Sequence, residues 1–182
     1  MQLIKLTEEQ LRNISTGINL QRAENYVGKF FDCKLEGGLL KGKIKGNHGV
    51  YDVELRIDSD PLTFVCQCKT SKEMFCKHAA ALGLTYIYTP WVFETSNKIE
   101  RNNISSVEEL QFFLRTTKIK TLLDELRKCC VGIARLSELT GIPVQQISAI
   151  TKDDLNGKYH TLTNPLKLSC LYLLDKGLKS NS

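Results

Sequence analysis

The sequence predicts an α+β chain, with an antiparallel β-meander in its first half and an all-helical second half. Three observations predict it. Residues 39–57 alternate apolar and polar side chains with period two between glycine-rich turns, the pattern of strands that bury one face. From about Ser106 onward the apolar residues recur at helical spacing instead. Between the two, "FETSNKIERNNISS", residues 93–106, is polar and aperiodic and reads as a linker. The expected division is 1–92, a linker 93–106, and a helical domain 107–182.

Composition supports a globular chain. Of 182 residues, 42% are hydrophobic and 25% charged, which excludes a disordered polymer. The net charge is +5, and it is uneven. Up to Glu100 there are 13 Lys and Arg against 12 Asp and Glu, while from Arg101 there are 12 against 8. A basic balance of this size permits nucleic-acid binding without demanding it. No apolar run approaches the roughly 20 residues of a membrane span. The opening "MQLIKLTEEQLRN" is amphipathic and carries acids, unlike a secretory signal. The expectation is an intracellular protein, cytoplasmic or nucleoid-associated, with no membrane partner. Seven cysteines without an export signal point to reduced thiols.

In chain order, residues 6–13 and 18–28 read as two short helices, with Leu20, Ala23, Tyr26 and Val27 on one face of the second. Three strands follow at about 30–36, 39–45 and 50–57, separated by Glu36-Gly37-Gly38 and Gly46-Asn47-His48-Gly49. After the Asp60-Pro61 turn, a fourth short strand at 63–67 is expected to carry Cys66 and Cys68. "HAAALGLTYIY" reads as a helix that stops before Thr89-Pro90. Ser106-x-x-Glu109 fits a capping box that opens the helical half. Breaks are expected at Gly141-Ile142-Pro143, Asn156-Gly157 and Asn164-Pro165.

Four soft donors crowd into "FVCQCKTSKEMFCKHAAAL": Cys66, Cys68, Cys76 and His78, spaced C-x-C, seven residues, C-x-H. Zinc takes four tetrahedral ligands, and thiolate and imidazole suit it. C-x-C on a strand puts both thiols on one face. C-x-H at a helix start brings two more donors from one turn. The set predicts one Zn2+ in a closed Cys3His site with no vacancy for a catalytic water. Lys69, Lys72 and Lys77 would offset the thiolate charge. Cys33, Cys129, Cys130 and Cys170 sit in hydrophobic patterns and read as apolar fillers, and His48 and His160 read as surface residues.

The ligand motif followed by "HAAALGL" resembles the SWIM-type zinc finger. The lead-in segments "RAENYVGKFFD" and "GNHGVYDVELRI" match that pattern too, so the resemblance covers about residues 18–90. It implies a ββα zinc module that binds DNA or protein partners and is not a catalyst. Such modules occur in recombination-related, transposase and helicase-associated proteins.

"GIARLSELTGIPVQQISAI", residues 132–150, carries a second signal. Ile133, Leu136 and Leu139 mark one helix, Ser137 is small, Gly141 follows four residues later, and Ile147 six after that. This is helix-turn-helix spacing, with Pro143 tolerated in the first turn of the second helix. The segment resembles the phage-repressor type. There a helix such as 118–128 precedes the pair, an "NGK" loop follows, and a last helix, here 165–176, closes the bundle. In that arrangement Val144, Gln145, Gln146, Ser148, Ala149 and Lys152 would face the major groove, with Lys152 and Lys158 on phosphates. Asp153 and Asp154 would repel phosphate if they faced it. The other reading of the same residues is a plain helical bundle or a protein-docking unit.

The expected fold is thus a β-meander with a ββα zinc finger, followed by an all-α helix-turn-helix bundle. The expected function is a zinc-dependent DNA-binding regulator or accessory factor. The alternative is an adaptor that docks recombination or transposition machinery, for which an exposed apolar patch near Tyr86, Tyr88 and Trp91 would speak. Enzyme motifs are missing: there is no P-loop, H-E-x-x-H, G-x-S-x-G or zinc-deaminase signature. No heptad seam supports an oligomer.

Overall fold

The computed structural model of the chain describes residues 6–68, 74–95, 99–152 and 163–177. The chain forms two compact units, Met1–Lys98 and Ile99–Ser182.

The first unit opens with α1 (Glu8–Ile14) and α2 (Gly17–Glu24). Thr7 and Gln10 cap α1 reciprocally, Thr7 Oγ1 accepting the Gln10 N–H at 3.2 Å and Gln10 Oε1 accepting the Thr7 N–H at 2.9 Å. A five-stranded sheet follows, in the order β4-β3-β2-β1-β5. Its strands are β1 (Phe31–Glu36), β2 (Leu39–Gly46), β3 (Gly49–Arg56), β4 (Thr63–Cys66) and β5 (Glu94–Thr95). Neighbours pair antiparallel except β1 with β5, which are parallel. The period-two pattern holds: Leu40 and Ile44 on β2, and Val53 and Leu55 on β3, point into the core.

Helix α3 (Lys77–Tyr88) packs on β2 and β3 with one side and on α1 and α2 with the other. Every residue from His78 to Tyr86 is buried. Such a seat requires small side chains. A Cβ at Gly83 would lie 2.8 Å from a Leu11 methyl and 3.1 Å from a Leu55 methyl, so α3 approaches both layers as closely as a backbone can. The aromatic run at the end of α3 and just beyond it belongs to the same core. Tyr86 is buried edge-on to Phe93 at 5.5 Å, and Tyr88 and Trp91 are half-buried, so none of the three rings whose exposure would speak for docking is exposed. Burying aromatic rings removes a large apolar area from water, which favours this arrangement.

The second unit consists of α4 (Val107–Thr116), α5 (Ile119–Lys128), α6 (Ile133–Thr140), α7 (Val144–Lys152) and α8 (Thr163–Asp175). Its core gathers Phe113, Leu122, Leu126, Leu136, Ile147, Ile150, Leu166 and Cys170. Gly141 closes α6 at φ 70°, in the left-handed region that favours glycine, and its N–H donates to the Ser137 carbonyl at 2.8 Å. Ser106 Oγ caps α4 by accepting the Glu109 N–H at 3.1 Å. The Glu109 carboxylate reaches past it to the N–H and hydroxyl of Ser105, at 2.7 and 2.8 Å.

Several sequence expectations are corrected. Glu94 and Thr95, inside the span read as linker, form β5. Cys68 lies beyond the end of β4, which stops at Cys66. Asn164-Pro165 does not break the chain but lies in the first turn of α8, where proline's missing N–H costs no helical bond. Leu139 is 45% exposed. Cys129 and Cys130 are exposed, whereas Cys33 and Cys170 are the buried fillers expected. The reason is the end of α5. Cys130 takes φ 62°, its N–H bonds the Arg127 carbonyl at 3.0 Å, and the Val131 N–H bonds the Leu126 carbonyl at 2.9 Å. This is a Schellman closure with cysteine where glycine is usual. It swings residues 129 and 130 outward and returns Val131 to Leu126 in the core.

Candidate metal centre

The four donors read from the sequence converge in the first unit. The ligand atoms of Cys66, Cys68, Cys76 and His78 all lie within 4.8 Å of one another, the one such group of three or more among the described residues. Around a tetrahedral zinc with Zn–S near 2.3 Å, donors stand roughly 3.5–3.8 Å apart. The Cys66 Sγ to His78 Nδ1 distance is 3.8 Å. Donor type, number and spacing therefore fit a metal ion of zinc's size and softness.

Each donor is set in place by its element. Val53 opposite Cys66 is the last pair of the β3–β4 ladder, and Val53 points into the core, so Cys66 does as well. One residue on, the Gln67 N–H donates to the Asp52 carbonyl at 3.4 Å, and Gln67 Oε1 accepts the Asp52 N–H at 3.2 Å. This closes the strand end and releases Cys68 two residues beyond Cys66. On the other side, Phe75 is buried edge-on to Phe64 at 5.0 Å, and its carbonyl accepts from Asn19 Nδ2 at 3.1 Å. These contacts fix the chain just before Cys76.

Cys76 is the N-cap of α3, and its sulfur accepts the Ala79 N–H at 3.4 Å. A thiolate there faces the positive end of the helix. The Cys76 thiol is pushed down to about 4, first by the hydrogen bond from Cys66 and then by His78, the Ala79 N–H and Cys68, against an opposing effect of burial. Cys66, as the partner that keeps the proton, is pushed well above the ordinary thiol range. A bound cation would deprotonate both.

His78, 4% exposed, packs against two tyrosine rings, Tyr26 at 5.3 Å and Tyr51 at 5.1 Å between centroids. Lys77 donates to the Tyr26 hydroxyl at 3.0 Å and lies over its ring. Of the three lysines expected around the site, Lys69 and Lys72 fall outside the described residues. Sequence reasoning did not assign the tyrosines a role, although both stand in the quoted lead-in segments, "RAENY" and "GVYDVEL".

In the second unit, Ile147 and Ile150 turn α7 toward the core. Gln145, Gln146, Ala149 and Lys152 are exposed, Val144 is 40% exposed, and Ser148 is half-buried. Lys158, Asp153, Asp154 and the "NGK" loop fall outside the described residues. No helix among the described residues is long and apolar enough to cross a membrane. Comparison of the chain with protein-family models, with curated proteins and with solved structures finds no match.

Proposed function

We propose that this chain is a zinc-dependent DNA-binding protein, a regulator or accessory factor without catalytic activity of its own. The observation that carries the zinc is the convergence of three thiols and one imidazole within 4.8 Å. Four protein donors fill a tetrahedral shell, the composition of structural zinc sites. The SWIM-type spacing of those donors supports a DNA- or protein-binding role for the first unit. The repressor-like pairing of α6 and α7 supports DNA for the second. With Ile147 and Ile150 buried, α7 keeps Gln145, Gln146, Ala149 and Lys152 exposed. Glutamine pairs in bidentate fashion with adenine, and lysine holds phosphate.

Titration of the full zinc-loaded chain against mixed duplex DNA tests the reading. Binding is expected at about 50 mM salt and should weaken steeply as salt rises. Lys152→Ala should weaken all sequences alike and lower the salt slope by about one unit. On a site selected from random DNA, Gln145→Ala should cost about 1–3 kcal/mol and little elsewhere. Absence of binding at low salt would favour the adaptor reading, in which the chain docks a protein of recombination or transposition machinery. Exposed Leu139 and Val144, on either side of the Gly141 turn, favour that reading over a plain bundle.

A further inference from the structure

We infer that Tyr26 and Tyr51 are the positioning residues of the metal centre, and that Gly46 is glycine so that Tyr51 can take its place there. The inference rests on the metal reading above and deepens it. Histidine offers a metal either ring nitrogen, and its second side-chain torsion is broad and two-fold, so something must choose. Here Nδ1 faces the Cys66 sulfur at 3.8 Å. That contact is joined by two rings packed on the imidazole itself. Tyr26 meets the imidazole edge-on at 82°, and Tyr51 lies tilted against it at 41°. Swinging the imidazole out of this plane, and Nδ1 off the thiols with it, has to displace one of them.

Each tyrosine is itself held. Tyr26 is fixed by Lys77, which donates to its hydroxyl at 3.0 Å and stands 4.9 Å over its ring. Tyr51 is fixed by the β2–β3 hairpin. It stands opposite Ile44, and its ring crosses the space beside Gly46, where a Cβ would lie 2.3 Å from Cε2 and 2.9 Å from Cδ2. Gly46 does not take a positive φ, so its backbone does not ask for glycine. The missing side chain is what the ring needs. A single methyl at Gly46, distant in sequence from every ligand, would push Tyr51 off its position against His78.

Zinc competition against a chromophoric chelator, together with the visible d–d spectrum of the cobalt(II)-loaded chain, tests this. Gly46→Ala and Tyr51→Ala should each weaken zinc about tenfold or more, the usual loss when support of a ligating histidine is removed. Their cobalt spectra should move from the parent's tetrahedral bands toward those of a site that has lost its imidazole. Tyr51→Phe keeps the ring and should restore parent affinity and spectrum. Tyr51→Leu keeps apolar bulk without the aromatic plane and serves if the smaller variants unfold; it should behave as Tyr51→Ala. Parent-like affinity and spectra in Gly46→Ala, or in folded Tyr51→Ala or Tyr51→Leu, would overturn the inference and leave the metal reading standing. Failure of the parent chain to take up zinc or cobalt overturns the metal reading, and the clamp with it.

Discussion

The two units each interrupt an apolar core with buried ionisable groups, and they satisfy them by different means. In the first, three thiols and an imidazole turn toward one another across the seam between β4 and α3. In the second, Lys167 on α8 is 2% exposed and donates to the carbonyl of Leu114 at 2.7 Å, in the last turn of α4. A lysine beside the negative end of a helix is answered by the backbone of its own fold. Three thiols that share protons are answered fully only by a cation from solution. On the metal reading, the first unit's stability therefore varies with free metal, and the second unit's does not.

Metal removal should break this symmetry most strongly. Structural zinc binds with an apparent free energy of about 10–16 kcal/mol in small modules, all of it linked to folding. A strong chelator, or Cys76→Ser, should lower the unfolding midpoint of the first unit and leave the helical unit in place. The single tryptophan, Trp91, belongs to the first unit and follows its unfolding. Loss of Trp91 signal together with all helical signal would show that the two units unfold as one.

Core truncations come next and should act locally. Leu55→Ala in the first unit and Leu136→Ala in the second should each cost about 2–5 kcal/mol, in their own unit only. Both residues are fully buried, and urea unfolding followed by Trp91 and by helical dichroism separates them. Lys167→Met should cost about 1–3 kcal/mol by leaving the Leu114 carbonyl short of a donor. It should leave zinc affinity unchanged.

Cap effects are the smallest. Thr7→Ala and Ser106→Ala should each cost about 1 kcal/mol. The pH dependence of the second cap follows from Glu109, whose carboxyl is held below its ordinary range first by the Ser105 N–H and then by the Ser105 hydroxyl. A depressed carboxyl stabilises the fold above its unfolded value of about 4.3. That contribution is lost as pH falls through the folded value. Glu109→Gln should flatten this acid limb of the helical unit's stability and leave the first unit's unchanged.

Much of the first unit was legible because its signals are local. Alternation over 39–57 and two glycine turns gave the meander, and the soft donors were recognisable from spacing alone. What escaped depends on partners remote in the chain. β5 is two residues long, and only its parallel pairing with β1, Lys34 to Glu94 and Leu35 to Thr95, makes it a strand. The role of Tyr51 depends on a histidine 27 positions away. In the second unit, the repressor resemblance suggested a helix at 118–128, and Gly141-Ile142-Pro143 marked the turn. It could not reveal that Lys167 is buried, since a lysine at a core-facing position looks like an error of register until α4 supplies a carbonyl. Nor could it place Cys129 and Cys130, because the helical period no longer applies once the chain turns left-handed at Cys130.

The seat of α3 sets the terms on which this centre could be rebuilt. Ala79, Ala80 and Ala81 are fully enclosed, and a methyl at Gly83 would already press on Leu11 and Leu55. An engineer who wished to exchange ligands, enlarge the coordination sphere or attach a reporter finds no room on the helix. The strand side is roomier, since Cys66 and Cys68 are only half-buried. A carboxylate or imidazole in place of Cys68 has solvent to expand into. A version of this protein retuned toward a harder metal would have to start there.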